Sequence, residues 1–264
     1  PSGDSRRSVT CFGVGEGWPS ENRRHASFLY NCGSVKLLVD CGDGMSSAFK
    51  AAGIDYEEVD AVFLSHMHSD HVGGFSMFVQ ALWLQQRRRP LPVYAAPRAI
   101  EALRAWLTAV VLPPELIGFN IEWRPLVAGH LIAVGDVVIT AHATAHLESL
   151  RRSFEARYPM TSFEAFSFVM EGPGFRVGHT ADIGEVSDLE PLLQKRPDLL
   201  ICELSHVEPG PLCAALKAAP PGRVMFVHVA REHLAIPGQA EKGLRELLDP
   251  VPFALAQDGQ VVPF

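Results

Sequence analysis

The sequence predicts an α/β protein in which mixed β-sheets are covered by helices. Three observations lead there. The chain opens with several strand-like runs in succession; from its middle onward strand-like and helical segments alternate. Hydrophobic residues make up 47% and charged residues 20% of 264 positions, the balance of a globular chain with a real core. Two-sheet α/β architectures of this length often form one unit, so residues 1–264 are expected to be a single domain. The order of segments does not by itself give the topology.

The early strands are "VTCFGVG", "ASFLYN" and "VKLLVDCG", with the turn-forming "NCGS" before the last. "VDAVFLS" is short, β-branched and apolar, as suits a strand buried on both faces. From Val72 to Leu84 the apolar residues Val72, Phe75, Val79, Leu82 and Trp83 recur at helical spacing, which predicts one helix. "PRAIEALRAWLTAVVL" starts with a proline near its first turn and aligns Ile100, Leu103, Leu107 and Val110 on one face. "VVITAHA", "FSFVME", "FRVGHT", "DLLICELS" and "RVMFVHV" read as strands, with helices starting near Val186, Pro211 and Gln239. The closing "FALAQDGQVVPF" places Asp258-Gly259 between two extended runs, which predicts a hairpin.

Several function classes are disfavoured. A net charge of −7 is the wrong sign for a protein whose main partner is a long nucleic acid. No apolar run approaches the roughly 20 residues that span a bilayer. "PSGDSRRSV" lacks the apolar block of a secretory leader, and five cysteines without CxxC spacing read as buried thiols in a reducing compartment. Both features point to the cytoplasm. Arg87, Arg88 and Arg89 read as a solvated cluster complementing a helix C-terminus.

The stretch "LSHMHSDHVGG" places three of the chain's eleven histidines and one aspartate between positions 66 and 71. It lies where a buried strand ends and a helix begins, and loops at strand C-termini project into a shared crevice. Imidazole and carboxylate are ligands for zinc, manganese or iron. In extended chain His66 and His68 point the same way and could grip one ion, while Asp70 and His71 diverge toward a second. The set is incomplete and predicts distant partners at other strand ends: His142 and His146, His179 and Asp182, His228 and His233. His146 falls after its strand rather than within it, unlike His142.

"HMHSDH" is the HxHxDH signature of the metallo-β-lactamase-fold hydrolases, and "LLVDCGDG" resembles that superfamily's strand and glycine turn before it. The likeness extends from "CFGVGEGWPS" to the closing "DGQVV". It implies a four-layer αβ/βα sandwich of two mixed sheets with a dinuclear site at one edge. His66, His68 and His146 would hold the first metal, Asp70, His71 and His228 the second, and Asp182 would bridge them. His179 stands where relatives usually have a small residue.

Within the superfamily the chain looks most like the RNase Z-type phosphodiesterase branch. "FGVGEGWPSENRRHASFLY", "ALWLQQRRRPLPVYAAP", "TADIG" and "ICELSH" resemble segments of that branch. The last implies Glu203 in the place of a glutamate that supports a proton-donating histidine, for which His206 is the candidate. The long basic arm that grips tRNA is missing and no HST motif follows the glutamate at the family's distance, so a smaller, nucleotide-like diester is expected.

Two divalent metals bring +4, Asp70 and Asp182 return −2 and a bridging hydroxide −1, leaving a site that favours an anionic substrate. The expected reaction is attack of that hydroxide, oriented by Asp70, on a phosphodiester. The alternatives are an acyl-bond hydrolase such as a lactonase or thioesterase, and a metal-retaining binding protein without turnover. Residues 147–163 read as a substrate lid in which Arg151 and Arg152 would touch phosphate, and a homodimer is expected.

Overall fold

Two seven-stranded sheets lie face to face, each backed by helices, and among the described residues the chain passes from one to the other twice. The computed structural model describes residues 7–264. Most of the stretch expected to carry no leader therefore lies outside the described residues. The first sheet collects β1 (Ser8–Gly13), β2 (Ser27–Asn31), β3 (Lys36–Val39), β4 (Ala61–Phe63), β5 (Leu91–Ala95) and β6 (Ile121–Pro125) in chain order. The second collects β7 (Leu131–Val134), β8 (Val137–Ala143), β9 (Phe166–Gly172), β10 (Phe175–His179), β11 (Leu199–Leu204), β12 (Val224–Val229) and β13 (Phe253–Leu255), also in order. The last strand, β14 (Gln260–Pro263), returns to the first sheet beside β1.

Each sheet begins antiparallel and becomes parallel. The change falls at β3–β4 in one and at β10–β11 in the other. Parallel strands are buried on both faces, which is why β4, β11 and β12 are apolar almost throughout and wholly buried. Phe63 and Phe168 meet edge-on between the sheets at 5.8 Å, and the helices Met45–Ala51, Phe75–Leu84, Pro97–Ala109, Pro209–Ala218 and Gln239–Leu248 each bury an apolar face. The mixed-sheet, four-layer expectation holds.

Four readings are corrected. The Asp258-Gly259 turn does not make a hairpin, because its arms belong to different sheets: β13 pairs with β12 and β14 with β1. The Asp258 carboxylate accepts from the backbone N–H of Val14 (3.1 Å) and Arg24 (2.7 Å), and Gly259 N–H donates to the Cys11 carbonyl (2.7 Å). These bonds hold the turn across the gap.

The single helix expected from Val72 is two, Ser69–Val72 and Phe75–Leu84. The break comes at Gly74, whose N–H donates to the Cys41 carbonyl at 2.8 Å and where a Cβ would collide with the Gly42 carbonyl.

Arg87 is not solvated. It is 0% exposed, and its guanidinium donates to the carbonyls of Val59, Arg89 and Pro90. The segment near Val186 starts as a 3-10 turn before the short helix Glu190–Leu193. All five cysteines are free and buried, as expected.

Candidate metal centre

The site forms where the ends of β4, β8, β10, β11 and β12 converge. After β4 the chain turns through Ser65 into the motif, and this loop is pinned from below by Asp40 at the end of β3. The buried Asp40 carboxylate accepts from Ser65 N–H (2.7 Å) and Ser65 Oγ (2.8 Å), and lies 2.7 Å from His71 Nδ1. Cys41 N–H donates to the His71 carbonyl at 2.7 Å. With Nδ1 so engaged, His71 presents Nε2 to the centre. Sequence reasoning assigned Asp40 no role, although an acidic residue inside the apolar run "KLLVDC" is a signal, because carboxylates are seldom buried without a partner.

Two groups of donors that share a carboxylate result, beside a third made by Glu203, His206 and His228. His66, His68, His146 and Asp182 form one, and Asp70, His71, Asp182 and His228 the other, with the ligand atoms in each lying within 4.8 Å of one another. Asp182 belongs to both. Its Oδ2 lies 3.7 Å from His66 Nε2 and 3.5 Å from His146 Nε2; its Oδ1 lies 3.3 Å from His71 Nε2 and 3.7 Å from His228 Nε2. Asp70 Oδ2 closes the second group at 3.1 Å from His228 Nε2. All seven residues expected to ligate metal come together. His142, mid-strand on β8, and His233, on the helix Arg231–Leu234, belong to neither group.

His228 reaches the centre through a bulge. Glu203 pairs with Val227 but Leu204 with Val229, so His228 is the extra residue, at φ 47°. Its N–H leaves the ladder and donates to the Val14 carbonyl of the opposite sheet at 2.9 Å. Asp40 (φ 60°) and Ala181 (φ 47°) are also left-handed, so three strained residues gather around one centre.

The donor set fits divalent cations. His66 Nε2, His71 Nε2 and Asp182 Oδ1 are buried without hydrogen-bond partners and face the same small space. Burial lowers His66 well below the ordinary imidazole range and His146 to about 3, leaving both neutral with free lone pairs. At His71 burial acts the same way, but the charges of Asp182 and Asp40 outweigh it and favour positive charge there, which a cation can supply.

On the open side of the centre stands His206, its side chain 32% exposed. Its Nδ1 lies 3.0 Å from Glu203 Oε1 and 3.8 Å from Asp182 Oδ2. The buried Glu203 carboxylate also accepts from the N–H groups of Ile183, Ser205 and His206. Burial lowers the His206 imidazole, but Glu203 outweighs it and the pKa is raised.

The loop Gly15–Arg24 covers another flank: a Cβ on Gly17 would lie 3.3 Å from Asp70 Oδ2. Next to it Trp18 is 63% exposed, with the Arg231 guanidinium 4.4 Å above its ring. Residues 147–163 contain the helix Glu148–Phe154 and lie beside the site through His146. Arg151 and Arg152 are both paired with Glu148 rather than aimed inward.

The family described as the beta-lactamase superfamily domain matches residues 36–229. A ribonuclease Z of Methanothermobacter thermautotrophicus is 34% identical over 138 residues, covering 52% of this chain and 44% of that enzyme. The chain thus spans less than half the length of the first curated relatives it matches, at 45%, 44% and 44%. Among solved structures, the metallo-beta-lactamase fold protein YhfI of Bacillus subtilis superposes with a TM-score of 0.78 at 21% identity, covering 98% of this chain and 99% of that one. A diphosphatase from the PhnP family superposes with a TM-score of 0.70 at 17% identity, covering 98% of each chain.

Proposed function

The chain belongs to the beta-lactamase superfamily, and from that premise we propose that it is a metal-dependent phosphodiesterase acting on a small, nucleotide-like anionic substrate. One observation carries the reading: two donor groups share the Asp182 carboxylate, and an imidazole held by a buried glutamate stands on their open side. Two divalent ions, zinc by the preference of this donor set, would be held by His66, His68, His146 and Asp182 and by Asp70, His71, His228 and Asp182. When bound they supply hydroxide from water near neutral pH and a counter-charge for the transition state.

The chain's own residues do the rest. Asp70 orients the attacking water through the carboxylate it shares with His228. As the bond from phosphorus to the leaving oxygen breaks, that oxygen takes the electron pair and a proton from His206. Glu203 engages Nδ1, so Nε2 is the donating atom. Trp18 and Arg231 at the rim suit a flat base and a phosphate, and the name diphosphatase of a superposable protein agrees with a small phosphorylated substrate. The absence of a long basic arm from the sequence supports the same size. Among the described residues no helix is long and apolar enough to cross a membrane. The reading keeps residues 1–264 as one domain and expects a homodimer in the cytoplasm; the free buried thiols support a reducing compartment.

The test is turnover by metal-loaded protein of bis-p-nitrophenyl phosphate and a cyclic nucleotide, beside a lactone panel, a thioester and nitrocefin. Diester cleavage abolished by chelation is expected. Robust lactone or thioester turnover without diester cleavage would make it an acyl-bond hydrolase, and bound metal without any turnover would make it a binding protein.

A further inference from the structure

Behind the donor groups, between the sheets, lies a polar pair that the chemistry above does not use. His179 ends β10 and is buried, with Nδ1 2.7 Å from the hydroxyl of buried Tyr30. The Phe28 ring packs edge-on against the imidazole at 4.8 Å. Burial lowers His179 to about 3, so the ring is neutral and offers one N–H and one lone pair. Its Nε2 has no hydrogen-bond partner. Neither has His228 Nδ1, which is buried at the bulge while Nε2 faces Asp70 and Asp182. Buried polar nitrogens left alone are rare in folded proteins.

Both residues line the same cavity. It measures about 10 Å³, and His71, Asp182, Phe28 and Val227 complete much of its wall. One water needs roughly 10–15 Å³ and two to four polar partners; apolar voids of such size stay dry, but polar ones do not.

We propose that this cavity holds one buried water bridging His179 Nε2 and His228 Nδ1, which makes His179 a positioning residue for His228. The hydrogens can all be placed. His228 turns Nε2 toward the centre, so its neutral ring carries hydrogen on Nδ1 and donates it to the water. The buried Tyr30 O–H donates to His179 Nδ1, so His179 carries its hydrogen on Nε2 and donates it to the same water, which has the Asp182 carboxylate on the cavity wall to donate to. A ligating histidine is oriented by what its other nitrogen meets, and losing that partner costs about 10–100-fold in metal affinity or activity. The bulge frees His228 from the ordinary strand direction, so its ring depends on such a partner.

The inference rests on His228 being a metal ligand. The experiment compares zinc retention against a competing chelator, metal-free melting temperature and the ¹⁵N shift of His228 Nδ1. It uses the parent and the variants His179→Phe, His179→Gln and Tyr30→Phe, with a crystal structure of the parent at a resolution that shows waters. His179→Phe fills the cavity with a ring that cannot bond. It is expected to weaken one zinc by about 10–100-fold and to move the His228 shift, with metal-free melting kept. Tyr30→Phe should lose less, and His179→Gln, whose amide can still meet the water, should stay within about threefold of the parent. Zinc held by His179→Phe as tightly as by the parent overturns the proposal, and so does a dry cavity. If the parent binds no zinc, the metal reading fails instead, and water density in the metal-free crystal still decides this one.

Discussion

The two sheets bring residues to one centre in opposite ways. The first supplies His66, His68, Asp70 and His71 from a single loop, with its register held locally by Asp40, Ser65 and the Cys41 N–H. The second supplies His146, Asp182, Glu203, His206 and His228 one or two at a time, from the ends of β8, β10, β11 and β12. The loop offers donors only. The strand ends offer donors too, but also the carboxylate that joins the two groups and the imidazole of His206 held by Glu203. The difference teaches that, on the proposed reading, metal would be captured by both sheets while proton transfer would belong to the second.

The sharpest way to break that division is Asp182→Ala, which removes the residue common to both groups. Metal content should fall at both positions, and diester turnover by about 10³-fold or more, the worth of several kcal/mol of charge stabilisation. Metal analysis and kcat would be read together; full metal content would show that Asp182 does not join the groups.

His206→Ala should separate the two tasks. We expect a loss of about 10²-fold in kcat with metal content unchanged. Glu203→Gln then sharpens the result. Glu203 raises the His206 pKa, so its loss should move the alkaline limb of the rate profile to lower pH. The stability effect has a definite sign as well. A folded pKa raised above the ordinary 6.5 gives stabilisation that is complete below about pH 6.5 and lost as pH rises through the folded value. Melting of metal-free protein across that window should show this for the parent, and less of it for Glu203→Gln.

Asp40→Asn tests the local register of the loop, with about 10–100-fold weaker metal binding expected on chelator titration. The smallest effect should come from Arg152→Ala, within about twofold in KM, because that side chain is exposed and already paired with Glu148. A large rise in KM would restore the phosphate-contact role that the sequence suggested.

The same asymmetry decided how much could be read in advance. The loop was legible because its donors are contiguous and follow a strand. From residue pattern alone the distributed donors were legible only as strand-end pairs, and the family resemblance chose His146, Asp182 and His228 among them. Choosing Asp182 over His179, or His228 over His233, needs the direction of a side chain, and a bulge at a left-handed histidine leaves no periodic trace. Three strands escaped notice: β5 contains Pro92, while β6 and β7 are sheet edges with exposed positions such as Leu131. At Asp258-Gly259 local chemistry specified a turn correctly, but which strands flank a turn is a long-range matter.

Placing β14 against β1, with Ser8 opposite Pro263, also gives synthesis a timetable. Residues 8–13 are synthesised long before Gln260–Pro263, their outer neighbour in the sheet. In the interval β1 offers an unsatisfied row of backbone groups to any passing polypeptide, the kind of border at which nascent chains stick to one another. Yield in cells should accordingly respond to holdase chaperones more than to anything done at the catalytic centre.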